Sequence, residues 1–276
     1  MTEAINDVQV RKLTGAVGAE ISGVDLGNLS GQDFDVIKQA FLDHGMLVFR
    51  EQFLEPQAHV DFARRFGDVM VYKGFEKAYR NDLPAGMFHF SNDGKEKVIT
   101  ENWHFDGTYY DEPPAIGILV PARLPAYGGD TMWSNQYAAY DRLSDGMKQL
   151  LCGLRIRCES HRSSRKYNLE KIMSALQPAV RRHPETGRLS LYIGNPDTCV
   201  SFTSMTPEES RPLIQYLYRQ CCTPDNSYRH QWRMGDVVVW DNRCTMHYAV
   251  HDYGSQPRDM YRMTINGERN RGPVDE

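Results

Sequence analysis

The chain opens on short stretches in which apolar and polar positions alternate between glycines, VQVRKLTGAVGAEISGVDL at 8–26, a pattern of short strands and turns. The period then changes. Across LSGQDFDVIKQAFLDHG, Phe34, Ile37, Phe41 and Leu42 fall on one helical face, Ser30 stands as N-cap with Asp33 three residues later, and Gly45 is a natural stop. MLVF (46–49) reads as a buried strand, and EPQAHVDFARRFG (55–67) as a second helix with Pro56 early and Gly67 late. From Gly67 to Lys97 the chain is polar, aromatic and glycine-containing, which predicts a flexible loop. Strands dominate from about Val98 to Asn135. A third helix begins after Ser144 and carries Met147, Leu150, Leu151 and Leu154. Residues 155–185 read as irregular and rich in Arg and His, and RLSLYIG (188–194) as a strand. TPEESRPLIQYLYRQC (206–221) is a helix with Thr206 as cap, Pro207 at its first position and Glu209 closing a capping box. GDVVVWDN and MYRMTING (260–267) are strands. Many short strands with early and late helices predict a mainly β fold with flanking helices, a double-sheet jelly roll.

With 276 residues and no visible repeat or linker, the chain reads as one domain spanning 1–276. Hydrophobic residues at 41% and charged residues at 25% exclude a disordered, collagenous or coiled-coil chain. Thirty-two basic against 36 acidic residues leave a net charge of -4, without the basic excess that nucleic-acid phosphates call for. No signal peptide is visible, and the apolar stretches AIGILV (115–120) and VVVW (237–240) fall far below the ~20 residues that cross a bilayer. The expectation is a soluble cytoplasmic protein with no nucleic-acid or membrane partner. The cysteines, Cys152, Cys158, Cys199, Cys221, Cys222 and Cys244, form no CxxC pair and read as small buried hydrophobes.

Three segments carry chemistry. In Trp103-His104-Phe105-Asp106, side chains at i and i+2 of a strand share a face, so His104 and Asp106 project together. In GDVVVWDNRCTMH (235–247) an apolar strand ends in a polar turn and His247 follows, available as a third ligand from a neighbouring strand. Two imidazoles and one carboxylate on one face leave coordination positions open, as non-haem Fe(II) enzymes require; taken singly, each histidine reads equally well as structural. Arg258 and Arg262 are four apart and point to the same side of a strand, where a guanidinium pairs bidentately with carboxylate or sulfonate.

Taken in order, these segments resemble the taurine/phenoxyacetate (TauD/TfdA-type) family of Fe(II)- and 2-oxoglutarate-dependent dioxygenases. The resemblance runs over nearly the whole chain, through LTGAVGAEISGVDL, FARRFGD (62–68), WHFDGTYYDEPPA (103–115), LPAYGGDTMW (124–133), AAYDRLS (138–144), GDVVVWDNRCTMHYAVHDY (235–253) and RDMYRMTING (258–267). It implies a double-stranded β-helix (cupin-like jelly-roll) core and an oxidoreductase using Fe(II), 2-oxoglutarate as cosubstrate and O₂. It implies that His104, Asp106 and His247 hold the iron, that Arg258, supported by Thr131, holds the distal carboxylate of 2-oxoglutarate, and that Arg262 holds the anionic group of the substrate. Trp240 would pack behind the site. The presence of Asp106 argues against halogenation, since the halogenating relatives carry a small residue there. The relatives' assemblies imply a homo-oligomer, a dimer or tetramer.

For the substrate, the resemblance places Tyr72, Phe75, Thr100 and Ser164 where the taurine enzyme has His, Tyr, Asn and Phe, so the set that reads a small sulfonate is not retained. With Phe105, Tyr109 and Tyr110 these suggest an aromatic-walled pocket. The leading class is an aryl or hydrophobic carboxylate such as a phenoxyalkanoate, hydroxylated with C–O or C–S cleavage where the attacked carbon bears a heteroatom. An alkyl sulfonate or sulfate ester is the alternative. The loops at about 67–97 and 155–185 are candidate lids, the second through the basic run Arg155, Arg157, His161, Arg162, Arg165 and Lys166, which reads otherwise as a solvated surface. Two other classes stay open on residues alone: a metal-binding, non-catalytic protein on the same scaffold, and a zinc hydrolase built on the same two His and one Asp.

Overall fold

The computed structural model describes residues 8–72, 79–92, 102–161, 163–164 and 171–275. The opening segment forms two antiparallel strands, β1 (Gln9–Lys12) and β2 (Ala19–Ser22). Helix α1 (Gly31–His44) starts where Ser30 Oγ accepts the Asp33 N–H and ends at Gly45, whose φ of 69° is the left-handed conformation that a glycine C-cap supplies without strain. β3 (Met46–Phe49) is buried along its whole length and runs parallel to β2. α2 (Pro56–Arg64) follows, then β4 (Phe88–Asn92), β5 (Ile116–Arg123) and β6 (Thr131–Asn135). α3 (Gln136–Asp141) and α4 (Asp145–Leu151) lead to β7 (Arg155–Glu159), β8 (Ser174–Pro178), β9 (Val180–Arg182), β10 (Leu189–Leu191) and β11 (Cys199–Phe202). α5 (Pro207–Cys221) carries the capping box between Thr206 and Glu209, and the chain closes with β12 (Ser227–His230), β13 (Val237–Asp241), β14 (Thr245–Ala249) and β15 (Arg258–Ile265).

A seven-stranded sheet in the order β1-β2-β3-β13-β5-β15-β4 is the main layer. Its inner strands β3 and β13 are buried along their whole length because both sides are covered. Leu47, Phe49, Ile118, Val237, Val239 and Met263 point to one face and pack with Ile37 and Phe41 of α1 and Val60 and Phe62 of α2. Met46, Val48, Val238 and Trp240 point to the other and meet Trp133 of the second sheet, β12-β6-β14, the Trp133 and Trp240 rings lying 5.8 Å apart. Each such side chain, fully buried, contributes roughly 1.5–3 kcal/mol. Gly117 on β5 makes room for this packing: a Cβ there would lie 2.2 Å from Cζ2 of Trp240. A third apolar cluster joins Leu151 of α4, Ile156 of β7, Phe202 of β11 and Ile214 and Leu217 of α5. Two facing sheets with helices outside are the jelly roll that the pattern predicts. Among the described residues no helix is long and apolar enough to cross a membrane. Cys158, Cys199, Cys221 and Cys244 are buried as expected, Cys222 is half-buried and Cys152 is exposed.

The structure differs from the sequence reading in four places. The stretch 155–185 holds three strands, because Ile156 and Cys158 turn inward between the outward Arg155 and Arg157. That alternation is half-buried strand, and its charges disguise it. Phe88–Asn92, inside the supposed loop 67–97, is the edge strand β4, paired with β15. α3 was not anticipated; Asn135 caps it, its Oδ1 accepting the Tyr137 and Ala138 N–H groups. Leu154 lies beyond the end of α4.

One buried group makes stability depend on pH. His59 on α2 is 4% exposed. Burial pushes its imidazole down from the ordinary 6.5 to about 4, against a raising contribution from the Leu54 backbone. The unfolded chain therefore binds the extra proton first as pH falls. The stabilisation is fully present above about 6.5 and is lost as pH drops through about 4, with a slope approaching about 1.4 kcal/mol per pH unit between the two values. Urea midpoints measured from pH 7 to pH 4 should fall, and the fall should be shallower in His59→Leu.

Candidate active site

His104 is held by the backbone. Its N–H and C=O bond the C=O and N–H of His247 on β14, both at 3.0 Å, so the two residues form an antiparallel bridge at the edge of the second sheet. The rings lie side by side with centroids 4.2 Å apart. Strand pairing stops there. Asp106 opens a turn, and Gly107 follows with φ of 60°. The expected strand placement of both residues is therefore correct for His104 alone, yet the side chains still converge: His104 Nε2 lies 3.9 Å from Asp106 Oδ1, and His247 Nε2 lies 3.5 Å from Asp106 Oδ2. One donor atom from each of the three lies within 4.8 Å of the others.

The environment suits a divalent metal. His104 Nδ1 donates to the Asn102 carbonyl at 2.7 Å, which leaves the Nε2 lone pair facing the other two donors. The Asn195 side-chain amide in turn donates to Asn102 Oδ1 at 2.7 Å. Burial pushes the His247 imidazole well below its ordinary value, against the raising effect of Asp106, so it is a neutral donor. Burial alone would raise the Asp106 carboxyl, but the Arg262 guanidinium and the two imidazoles outweigh it and hold it ionised far below the usual carboxylate range. Arg262 donates from both terminal nitrogens, one to Oδ1 at 3.2 Å and the other to Oδ2. Its guanidinium also lies 5.1 Å over the Trp240 ring, and Trp240 packs 4.9 Å from His247, behind the site as expected.

A cavity of about 100 Å³ between the two sheets is lined by Leu119, Thr131, Trp133, Trp240, His247, Arg258 and Arg262, among others. Both arginines of β15 thus face the same space, as their spacing of four predicts. Arg258 Nε donates to the Gly129 carbonyl at 2.9 Å and a terminal nitrogen to Thr131 Oγ1 at 3.4 Å; the Trp232 indole donates to the same hydroxyl at 3.0 Å. Among the described residues Arg258 has no ion-pair partner, and burial lowers its pKa. A half-buried cation facing a cavity in that condition calls for an anion, and a carboxylate bound in the cavity would supply one.

The predicted substrate residues are spread more widely. Tyr72 donates to Thr264 Oγ1 at 3.4 Å, and its ring is 6.3 Å from that of Tyr110. Tyr109 lies 4.9 Å from the Tyr110 ring and donates to Ser163 Oγ at 3.3 Å. Burial raises the phenol pKa of Tyr72 and Tyr109, and both feel the charges of Asp106 and Arg262. Phe105 does not join them. Lying between the two donors in extended chain, it points the opposite way, buried with its ring 4.3 Å from Tyr192. Phe75, Thr100, Arg162, Arg165 and Lys166 lie outside the described residues. Ser164 is buried and bonds Ser160 Oγ at 2.9 Å, a contact within its own segment.

Sequence reasoning missed Asn242, Asn102 and Gly129. The polar pair Asp241 and Asn242, ending and following the apolar run VVVW (237–240), was a signal. Asn102 and Gly129 act through carbonyls, which every residue carries, so no side chain announces them.

A double-sheet β core that brings two histidines and an aspartate together, with one of the histidines, His247, lining a cavity that also holds the half-buried Arg258, is the arrangement of a jelly-roll metal-dependent oxygenase. The family is narrower still: residues 9–264 match the model of the taurine catabolism dioxygenase TauD, TfdA family, and the chain belongs to it. It is 34% identical to an alkylsulfatase of Acinetobacter baylyi over 95% of this chain and 86% of that one. It is 32% identical to a (S)-phenoxypropionate/alpha-ketoglutarate-dioxygenase of Sphingobium herbicidovorans over 94% and 95%. Among solved structures, a taurine dioxygenase from Burkholderia xenovorans superposes with a TM-score of 0.86 at 32% identity, covering 98% of this chain and 94% of that one. AAD-2, solved in complex with Mn(II) and N-oxalylglycine, superposes with a TM-score of 0.84 at 29% identity, covering 95% and 99%. The protein is a 2-oxoglutarate-dependent dioxygenase, an oxidoreductase that uses Fe(II), 2-oxoglutarate and O₂. The non-catalytic and zinc-hydrolase alternatives give way to this.

Proposed function

We propose that His104, Asp106 and His247 hold Fe(II), that Arg258 and Thr131 hold the distal carboxylate of 2-oxoglutarate, and that Arg262 holds the anionic group of a small organic substrate. The observation that carries this reading is the convergence of the three donor atoms within 4.8 Å, with His247 sharing a cavity with a half-buried arginine that has no carboxylate of its own among the described residues. Bound iron supplies the redox chemistry: substrate R–H, 2-oxoglutarate and O₂ give R–OH, succinate and CO₂. The protein's share is placement. Arg258 and Thr131 would hold the far end of 2-oxoglutarate in the cavity that His247 also lines. Trp240, Trp133 and Leu119 keep that cavity apolar and exclude water from it. Asp106 holds its charge without a proton, because Arg262 and the imidazoles stabilise the carboxylate.

For the substrate, we infer an aryl or hydrophobic carboxylate of the phenoxyalkanoate class. Tyr72, Tyr109 and Tyr110 form a run of rings, two of which feel the Arg262 charge, which suits an aromatic body attached to an anion. Hydroxylation of the carbon next to the ether oxygen gives a hemiacetal that collapses to a phenol and a carbonyl acid. The second reading is an alkyl sulfate ester. It is favoured by the alkylsulfatase of Acinetobacter baylyi and by an alpha-ketoglutarate-dependent sulfate ester dioxygenase of Pseudomonas putida, 30% identical over 95% of this chain and 90% of that one. There the same step releases an aldehyde and sulfate. Succinate formation should be scored against phenoxyalkanoates, aryl carboxylates, alkyl sulfonates and sulfate esters. A phenol as product supports the first reading, and sulfate with an aldehyde replaces it by the second. With either substrate, Arg262→Gln should raise the substrate KM by about ten- to a hundredfold, the worth of a charge-assisted hydrogen bond.

A further inference from the structure

Asp106 stands outside the strand pairing that fixes His104, so something else must hold it. Asn242, 1% exposed and next after β13, is in place to do so. Its Oδ1 accepts the Asp106 N–H at 2.8 Å, while its Nδ2 donates to the Asp106 carbonyl at 3.1 Å and to the Pro114 carbonyl at 2.8 Å. Its own N–H donates to the Ala115 carbonyl at 2.8 Å. One carboxamide thus bonds both backbone groups of Asp106, as a neighbouring strand would, and ties them to the end of the buried β13. Asn does this because it carries an acceptor and a donor side by side. Asp lacks the donor and would set a negative charge against two carbonyl oxygens.

We propose that Asn242 is the positioning residue for the aspartate donor: it sets where the Asp106 carboxylate stands relative to His104 and His247, and through it the metal affinity of the site. This rests on the reading of Asp106 as a metal ligand. His104 and His247 position each other through their backbone bridge; Asp106 lies outside it, with Arg262 gripping its carboxylate and Asn242 fixing the backbone that carries it. Arg258, by contrast, is held from Gly129 and Thr131 and does not touch Asn242. Loss of Asn242 therefore acts on the metal and leaves the grip on 2-oxoglutarate intact.

The test is titration with Co(II) under nitrogen, followed by its visible absorption and by quenching of tryptophan fluorescence, on wild type, Asn242→Ala, Asn242→Asp and Asp106→Ala. Outer partners of metal ligands typically change affinity by about 10- to 100-fold. The expected result is a rise of that size in the Co(II) dissociation constant for both Asn242 variants, a changed Co(II) spectrum at saturation, and a KM for 2-oxoglutarate within about threefold of wild type at saturating Fe(II). If Asn242→Ala does not fold, Asn242→Asp carries the comparison, with far-UV circular dichroism showing that the measured species is folded. Wild-type Co(II) affinity and spectrum in a folded Asn242 variant, with binding lost in Asp106→Ala, overturns the positioning role alone. Wild-type affinity in Asp106→Ala overturns the ligand assignment beneath it.

Discussion

Asp106→Asn is expected to lower succinate formation by about three orders of magnitude and to abolish stoichiometric binding of Fe(II). Changes in partners around a metal ligand cost roughly 10- to 100-fold, and removing the charged ligand itself exceeds that. The electrostatics make the loss larger than one missing oxygen. In the native site the carboxylate faces two imidazoles and the Arg262 guanidinium, and its charge balances Arg262. An amide leaves Arg262 as a cation beside an incoming dication in a buried space, where like charges repel far more strongly than in water. Asn keeps the shape and can still accept a hydrogen bond from Arg262, so the fold should survive. The checks are anaerobic metal titration and succinate quantified by chromatography, with circular dichroism confirming the fold. Succinate formation within tenfold of wild type would remove Asp106 from the ligand set.

The site was legible in the sequence where the chemistry sits on side chains and the local period aims them. His104 and Asp106 are two apart and Arg258 and Arg262 four apart, and in extended chain those spacings alone bring side chains to one side. The same rule turns Phe105 away, and the aromatic-wall reading overlooked it. The helices were legible through their ends: Ser30 and Gly45 for α1, Thr206 and Glu209 for α5. What remained hidden has two causes. Strand β7 was masked by Arg155 and Arg157, which stand where an alternating pattern needs only polar residues. The grip of Asn242 on Asp106 spans 136 residues of chain, and no local pattern encodes a contact between a turn and the end of a distant strand. The pairing of Arg262 with Asp106 is hidden for the same reason, being a contact across 156 residues.

Arg258→Met should separate stability from function. In the folded protein Arg258 is a half-buried cation with two neutral acceptors, Gly129 O and Thr131 Oγ1, and no carboxylate partner among the described residues. Burial lowers its pKa, so keeping the charge there costs free energy until an anion arrives. Methionine fills a similar volume without that cost, and replacing buried charge by apolar side chains is often neutral or stabilising by about 1–4 kcal/mol. Against this stands the Gly129 carbonyl, left without its donor, at about 1–3 kcal/mol. The variant without ligands should therefore melt no more than about 5 °C below wild type. Its KM for 2-oxoglutarate should rise at least about a hundredfold, since two charge-assisted hydrogen bonds at roughly 1.5–3 kcal/mol each are gone. Adding 2-oxoglutarate to the iron-loaded wild type under nitrogen should raise the melting temperature by mass action, and the variant should lose most of that rise. A KM unchanged within about threefold would mean that the cosubstrate's distal carboxylate is held elsewhere. A collapse in stability without ligand would mean that Arg258 is a structural residue whose charge the fold already satisfies.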